Sequence, residues 1–215
     1  MEKIIIAIDG PSGAGKSTVA KDLAKTLNID YIDTGAMYRA VAYKMLQQNI
    51  GLDEEGQLSK MLESTEIDFS KGNIILDGEV INDKIRTQEI AKMASDCSAL
   101  ASVRTKLVDL QRKIGQLKSV VMDGRDIGTN VLLDAKYKFY ITATAEERAH
   151  RRWLELISKG DLVSQERVLL DMIQRDINDS TRLLNPLRKA EDAIEIDSTR
   201  RTATEMTAVV LSYIE

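Results

Sequence analysis

Short apolar runs alternate with long amphipathic ones along most of the chain. Residues 4–8, 30–32, 120–122, 138–141 and 193–196 are brief stretches rich in β-branched or aromatic side chains. Such runs suit strands buried on both faces. Between them the spacing of apolar positions predicts helices over 17–27, 36–48, 87–117, 145–159 and 164–178. Strands separated by helices predict an α/β fold, with a parallel sheet covered on both faces. Right-handed crossovers then gather the loops, and with them any ligand, at the carboxyl ends of the strands. Residues 67–83 break the rhythm. Their turn signals, Lys71-Gly72-Asn73 and Asp77-Gly78, predict a small antiparallel insertion outside the main sheet. With the helix that follows, it is expected to lie over a substrate.

Composition narrows the setting. A chain of 215 residues predicts one domain with appendages and a core that needs no disulfide. The formal charge of -4 disfavours a nucleic-acid polymer as partner, whereas a small anion needs only local positive charge. Cys97 is the only cysteine and His150 the only histidine, so no Cys/His cluster offers metal-ligand spacing. Cys97 is expected to be a small buried residue, His150 a surface one, and Trp153 part of helical packing. No stretch approaches the roughly 18 apolar residues of a membrane span, so no membrane partner and a cytoplasmic location are expected.

The most specific local signal is Gly10-Pro11-Ser12-Gly13-Ala14-Gly15-Lys16-Ser17, which satisfies G-x-x-x-x-G-K-[ST] between a strand and a helix. Glycines there let successive N–H groups turn inward around an anion, and the positive helix end faces the same phosphates. Lys16 is placed to bridge β- and γ-phosphates, and the Ser17 hydroxyl suits Mg²⁺. The motif establishes a triphosphate binder without separating kinases from GTPases or ATPases. No N-K-x-D segment is present to read guanine.

Charged groups at the other strand ends carry the reading further. Asp33-Thr34-Gly35-Ala36-Met37-Tyr38-Arg39 follows the second strand, its glycine expected to open a turn and Arg39 to fork onto a phosphate. Asp123-Gly124-Arg125-Asp126 follows the third, with Asp123 placed to hold Mg²⁺ through water. Arg148, Arg151, Arg152, Arg175 and Arg182 crowd the C-terminal half. Singly they suit a solvated helix face, with Glu146, Glu147 and Glu155 as partners. Arg175, Asp179 and Arg182, at i, i+4 and i+7, form a stripe of both signs that suits a ligand bearing phosphate and hydroxyl groups.

The ordered set GPSGAGKST, DTGAMYR, IRTQEI, DGRDIGT, ERAHRR and RDINDSTR, spanning about 4 to 200, resembles the bacterial cytidylate kinases. The first motif is generic; DTGAMYR, DGRDIGT and RDxxDxxR together are specific. The resemblance implies a five-stranded parallel P-loop kinase core with helices on both faces, a helical lid and a small antiparallel insertion in the region that binds the monophosphate. It divides a single unit, 1–215, into a core (1–34, 118–145 and 166–215), an acceptor region (35–117, insert near 67–83) and a lid (146–165). It implies transfer of the γ-phosphoryl group of ATP to CMP or dCMP with Mg²⁺, in pyrimidine metabolism, by a monomer.

Carried over by motif, Gly10 to Ser17 with Thr18 bind ATP. Ser95, Arg104 and Asp126 contact the cytosine, with Thr34 at its edge where relatives also carry Ser. Arg175, Asp179 and Arg182 surround the ribose and phosphate, and Arg39 and Arg125 hold the acceptor phosphate. Lys16, Arg39, Arg125 and the lid residues Arg151 and Arg152 act in catalysis. The base chemistry agrees: cytosine offers a donor at N4 and acceptors at N3 and O2, so a carboxylate and an arginine prefer it to uracil.

Overall fold

The computed structural model describes residues 3–70 and 72–214. In chain order its elements begin β1 (Ile5–Asp9), α1 (Lys16–Leu27), β2 (Asp30–Asp33), α2 (Thr34–Gln47), α3 (Glu55–Glu63), β3 (Ile67–Ser70), β4 (Asn73–Leu76) and β5 (Glu79–Val80). They continue with α4 (Gln88–Cys97), α5 (Ala101–Leu117), β6 (Val120–Gly124), a π-helical turn (Ile127–Val131), β7 (Tyr137–Thr142), α6 (Ala145–Ser158), α7 (Gln165–Thr181), β8 (Ile194–Asp197) and α8 (Ala203–Leu211). The chain divides into two compact units, Met1–Tyr31 with Lys118–Glu215, and Ile32–Leu117.

The first unit is built on the five-stranded parallel sheet, ordered β2-β6-β1-β7-β8, with helices on both faces. Central β1 pairs with β6 from Ile5↔Val120 to Asp9↔Gly124 and with β7 from Ile6↔Tyr137 to Asp9↔Tyr140. Asp9 therefore ends β1 level with the last residue of β6. Ile6, Ile8, Val121, Phe139, Ile141 and Ile196 form one core with Val19 and Leu23 of α1 and Met206 and Val210 of α8. Burying each such side chain contributes about 1.5–3 kcal/mol before chain entropy is counted. A satellite cluster of Ala149, Leu156, Val168 and Met172, with Trp153 packed on it, joins α6 to α7. The Trp153 indole donates to Val163 O at 3.0 Å. Among the described residues no helix is long and apolar enough to cross a membrane.

The second unit carries the insertion as a three-stranded antiparallel sheet, β3-β4-β5. Asp77 and Gly78 both adopt positive φ, 50° and 84°, and connect Leu76 directly to its partner Glu79. That is the two-residue hairpin whose twist matches the strands, the reason Asp-Gly signals it. Lys44 of α2 pins the turn through Asp77 at 2.6 Å. Of the other turn signal, Gly72 takes φ 79°, while Lys71 lies outside the described residues.

Two expectations are corrected here. The helix expected over 87–117 is two, because the chain leaves α4 after Cys97 and re-enters a helix at Ala101. The Ser98 hydroxyl turns back onto Ser95 O at 2.7 Å, the kind of side-chain bond that competes with helix continuation. The freed Ser98 carbonyl accepts the Arg104 guanidinium at 3.3 Å. Gly35 does not open a turn: it lies in the first turn of α2, outside the positive-φ region. Its missing side chain makes room, since a Cβ there would stand 3.1 Å from Asp33 Oδ1 and 3.3 Å from an Arg39 nitrogen. Two helices, α3 and α8, were not among those the apolar spacing picked out.

Candidate functional site

The loop between β1 and α1 is shaped by backbone that only glycine tolerates. Gly10 has φ 143°, and a Cβ on it would stand 1.9 Å from Ile141 O of the neighbouring strand. Gly13 and Gly15 also adopt positive φ, and Gly15 caps α1 in the left-handed conformation. Lys16 opens the helix and folds back over the loop, its Nζ donating to Pro11 O at 2.7 Å. Burial, then the nearby Arg125, pull its pKa down to about 7, against Asp123, Asp9 and Asp179. The loop is held from outside as well. Ser12 O accepts from Arg148 at 3.1 Å, and Ala14 O accepts from the buried Ser198 hydroxyl at 2.9 Å.

Ser17 and Asp123, both read as Mg²⁺ holders, lie side by side. The Ser17 hydroxyl donates to Asp123 Oδ2 at 2.7 Å, and the Tyr31 hydroxyl holds Oδ1 at 2.8 Å. A hydroxyl and a carboxylate, both hard oxygen donors at the mouth of a phosphate loop, fit Mg²⁺. Thr18 follows on α1.

Beyond β6, four more expected residues gather in two ion pairs. Arg125 Nε stands 2.6 Å from Asp179 Oδ2. Arg182 stands 3.1 Å from Asp126 Oδ1, with both side chains almost wholly buried. Burial opposes the charge on both Arg125 and Asp179. Each nonetheless favours the other's ionised form, so Arg125 titrates above its usual range and Asp179 below. Arg175, one turn before Asp179 on α7, adds to that depression. The stripe is not wholly helical. α7 ends at Thr181, and Arg182 is its cap in extended backbone (φ -59°, ψ 143°), turned so that Nε donates to Asn185 O at 2.8 Å.

In the second unit, Thr34 is buried at the start of α2. Asp33 caps that helix through Ala36 N at 2.8 Å and holds Arg39 at 2.9 Å. Arg104 is buried on α5 with its guanidinium 5.8 Å from the centre of the Tyr38 ring, and Ser95 is half-buried on α4. Cys97 is buried, and burial pushes its thiol up to about 12, so it is chemically inert.

The arginines of α6 divide. Arg152 pairs with Glu155 at 2.6 Å, and Arg151 with Glu147 at 2.9 Å while donating to Ser198 O at 2.7 Å. Those carboxylates are among the helix-face partners expected, and Arg151 also reaches Ser198, whose hydroxyl donates to Ala14 O of the loop. Arg148 is no surface residue: its guanidinium donates to Ala143 O and Ser12 O and meets Asp176 at 2.7 Å. His150 is exposed beside Trp153.

Several site residues were invisible to motif reading. Asn130, in the π-helical turn, donates to Asp126 Oδ2 at 3.0 Å. Asp9 accepts from Ile127 N at 2.8 Å and Gly128 N at 2.7 Å. Burial pushes Asp9 up to about 6 despite those two amides. Tyr31 and Ser198 complete the set. Only Asp9 carried a signal, as an acid at the end of an apolar strand.

The chain is similar over its length to known proteins. The family model described as cytidylate kinase matches residues 6–215. A cytidylate kinase from Clostridioides difficile is 51% identical, the match covering 100% of this chain and 99% of that protein. One from Caldicellulosiruptor saccharolyticus is 52% identical, covering 98% and 95%. The crystal structure of an uncharacterized protein from Eubacterium ventriosum shares the fold, with TM-score 0.56 and 18% identity over 99% of this chain and 98% of that one. With the phosphate loop, the Ser17–Asp123 pair and the buried ion pairs beyond β6 in place, the matches give one answer: the chain belongs to the cytidylate kinase family.

Proposed function

We propose that this protein transfers the γ-phosphoryl group of ATP to CMP or dCMP, giving ADP and CDP or dCDP. The observation that carries this reading is a lysine-bearing phosphate loop in the same unit as the ion pairs Arg125–Asp179 and Arg182–Asp126. Such paired groups are placed to exchange partners: a phosphate replaces Asp179 on Arg125, and ribose hydroxyls reach Asp179. Arg39 serves the acceptor phosphate in the same way by leaving Asp33. Asp126 accepts the cytosine N4 hydrogen, Arg104 and Ser95 reach its other polar edge, and Thr34 borders it. Arg175 and Arg182 stabilise the sugar-phosphate.

Gly10, Pro11, Ser12, Gly13, Ala14, Gly15, Lys16, Ser17 and Thr18 take the triphosphate. Ser17 holds Mg²⁺ directly and Asp123 through water, and the ion, when bound, neutralises phosphate charge. The acceptor oxygen is already ionised near neutral pH, so no general base is needed. What the protein supplies is in-line placement and positive charge on the transferring group, from Lys16, Arg39 and Arg125. The core is 1–34, 118–145 and 166–215, the acceptor region 35–117. The lid, 146–165, closes to bring Arg151 and Arg152 onto the phosphates and exclude water. The protein acts as a monomer in the cytoplasm, without nucleic acid or membrane.

Initial rates with Mg·ATP against CMP, dCMP, UMP, AMP, GMP and dTMP test the reading. CMP and dCMP are expected to lead; a clear preference for AMP or dTMP overturns it.

The lysine offers a second test. Burial draws its pKa down to about 7, so the neutral form of Lys16 gains weight as pH rises above that value. Anionic phosphates favour the charged form and raise the pKa again. Binding of Mg·ATP above neutral pH is therefore expected to be accompanied by proton uptake at Lys16. Calorimetry in two buffers of different ionisation enthalpy measures it, and Lys16→Ala is expected to abolish it.

A further inference from the structure

One buried carboxylate has no part in the roles above. Asp9 is the last residue of β1, 3% exposed, directly before the phosphate loop. Its two oxygens are divided between two backbone donors, Oδ1 with Ile127 N at 2.8 Å and Oδ2 with Gly128 N at 2.7 Å. Those are the first two residues of the π-helical turn that follows Asp126. π-Helical turns are rare and cluster at functional places, because their geometry needs support from outside.

The support reaches Asp126 by a short path. The turn brings Val131 N back to Asp126 O at 3.3 Å and sets the Asn130 amide on Asp126 Oδ2 at 3.0 Å. With Arg182 on Oδ1, the carboxylate is held on both oxygens. A Cβ at Gly128 would stand at ordinary contact distance, 3.4 Å, from Asp9 Oδ2 and 3.3 Å from the Lys138 side chain, so the two N–H bonds rather than the missing side chain define the contact. We infer that Asp9 is a positioning residue for acceptor-base recognition, which holds the 127–131 turn so that Asp126 presents its carboxylate to cytosine. The inference rests on the reading of Asp126 given above. A residue that merely braced the sheet would affect ATP and CMP alike, whereas this role acts on the acceptor.

Asp9→Asn keeps the shape but offers one acceptor where two N–H groups need one each, leaving a buried amide facing an amide. The expected result is a KM for CMP raised by about tenfold to a hundredfold, with KM for ATP within about twofold of wild type and a narrower preference for CMP over UMP. Asn130→Ala removes the bond from the turn to Asp126 Oδ2 and leaves Asp9 and Asp126 themselves in place. It is expected to move the same two quantities in the same direction, by about three- to tenfold. The inference is overturned if KM for ATP rises as much as KM for CMP in Asp9→Asn, or if both variants keep the wild-type preference. Should Asp9→Asn not fold, an unchanged preference in Asn130→Ala alone overturns it, because the side-chain link from the turn to the Asp126 carboxylate is that amide. A wild-type enzyme that does not prefer CMP overturns the reading of Asp126, and this inference with it.

Discussion

Lys16→Ala is expected to lower kcat on the order of a thousandfold with every acceptor while leaving the protein folded. Among the described residues Lys16 makes no ion pair with a carboxylate; its Nζ donates to Pro11 O inside its own loop. A buried ammonium with a pKa drawn down to about 7 does not add to stability, since burial costs more than its carboxylate neighbours return. Phosphates change that balance. They bring charge to the place where the ammonium was least well compensated, and charge that grows on the bridging oxygen during transfer is met by a group already in position. Removing such a donor from a dry site costs far more in rate than in binding. A coupled ADP assay beside a thermal melt checks both halves. A melting temperature near wild type with more than about a tenth of the activity left would remove Lys16 from catalysis.

Replacing Asp126 by asparagine is expected to lower kcat/KM for CMP by about tenfold to a hundredfold and to shift preference toward UMP, with ATP affinity almost unchanged. Asparagine is the informative choice because of the company Asp126 keeps. Alanine would strand Arg182, whose side chain is as buried as that of Asp126, and breaking a buried pair that way costs about 3–5 kcal/mol of stability. Asparagine keeps an oxygen for Arg182. What it loses is the second acceptor, so an amide NH₂ stands where cytosine presents its own N4 donor. Uracil presents an oxygen at that position and accepts the new donor. Equal loss of ATP affinity would count against Asp126 as the reader of the base.

How much of this was legible in the residues varies from element to element. The phosphate loop was fully legible, because its geometry rests on positive φ at Gly10, Gly13 and Gly15, a property of the residues themselves. The Asp77-Gly78 hairpin was legible for the same reason. The break after Cys97 was not, because the apolar periodicity of 87–117 continues through it and no glycine or proline marks it. Arg148 and Arg152 show the limit most clearly. They sit four residues apart on α6 with carboxylates in reach of both, yet Arg152 stays on its Glu155 partner while Arg148 goes inward to Asp176.

By itself, then, the sequence determined the α/β class, the triphosphate loop, the antiparallel insert and the chemical types at each strand end. These depend on backbone preferences and on apolar periodicity, which act over a few residues. Only the tertiary structure decided which charges meet. Arg125 and Asp179 lie 54 positions apart, Asp126 and Arg182 lie 56, and Asp9 and Gly128 lie 119. Their pairing follows from strand register and from exclusion of water at the ends of β1 and β6. An ion pair is strong where the surroundings are dry, and only the packed sheet makes them so.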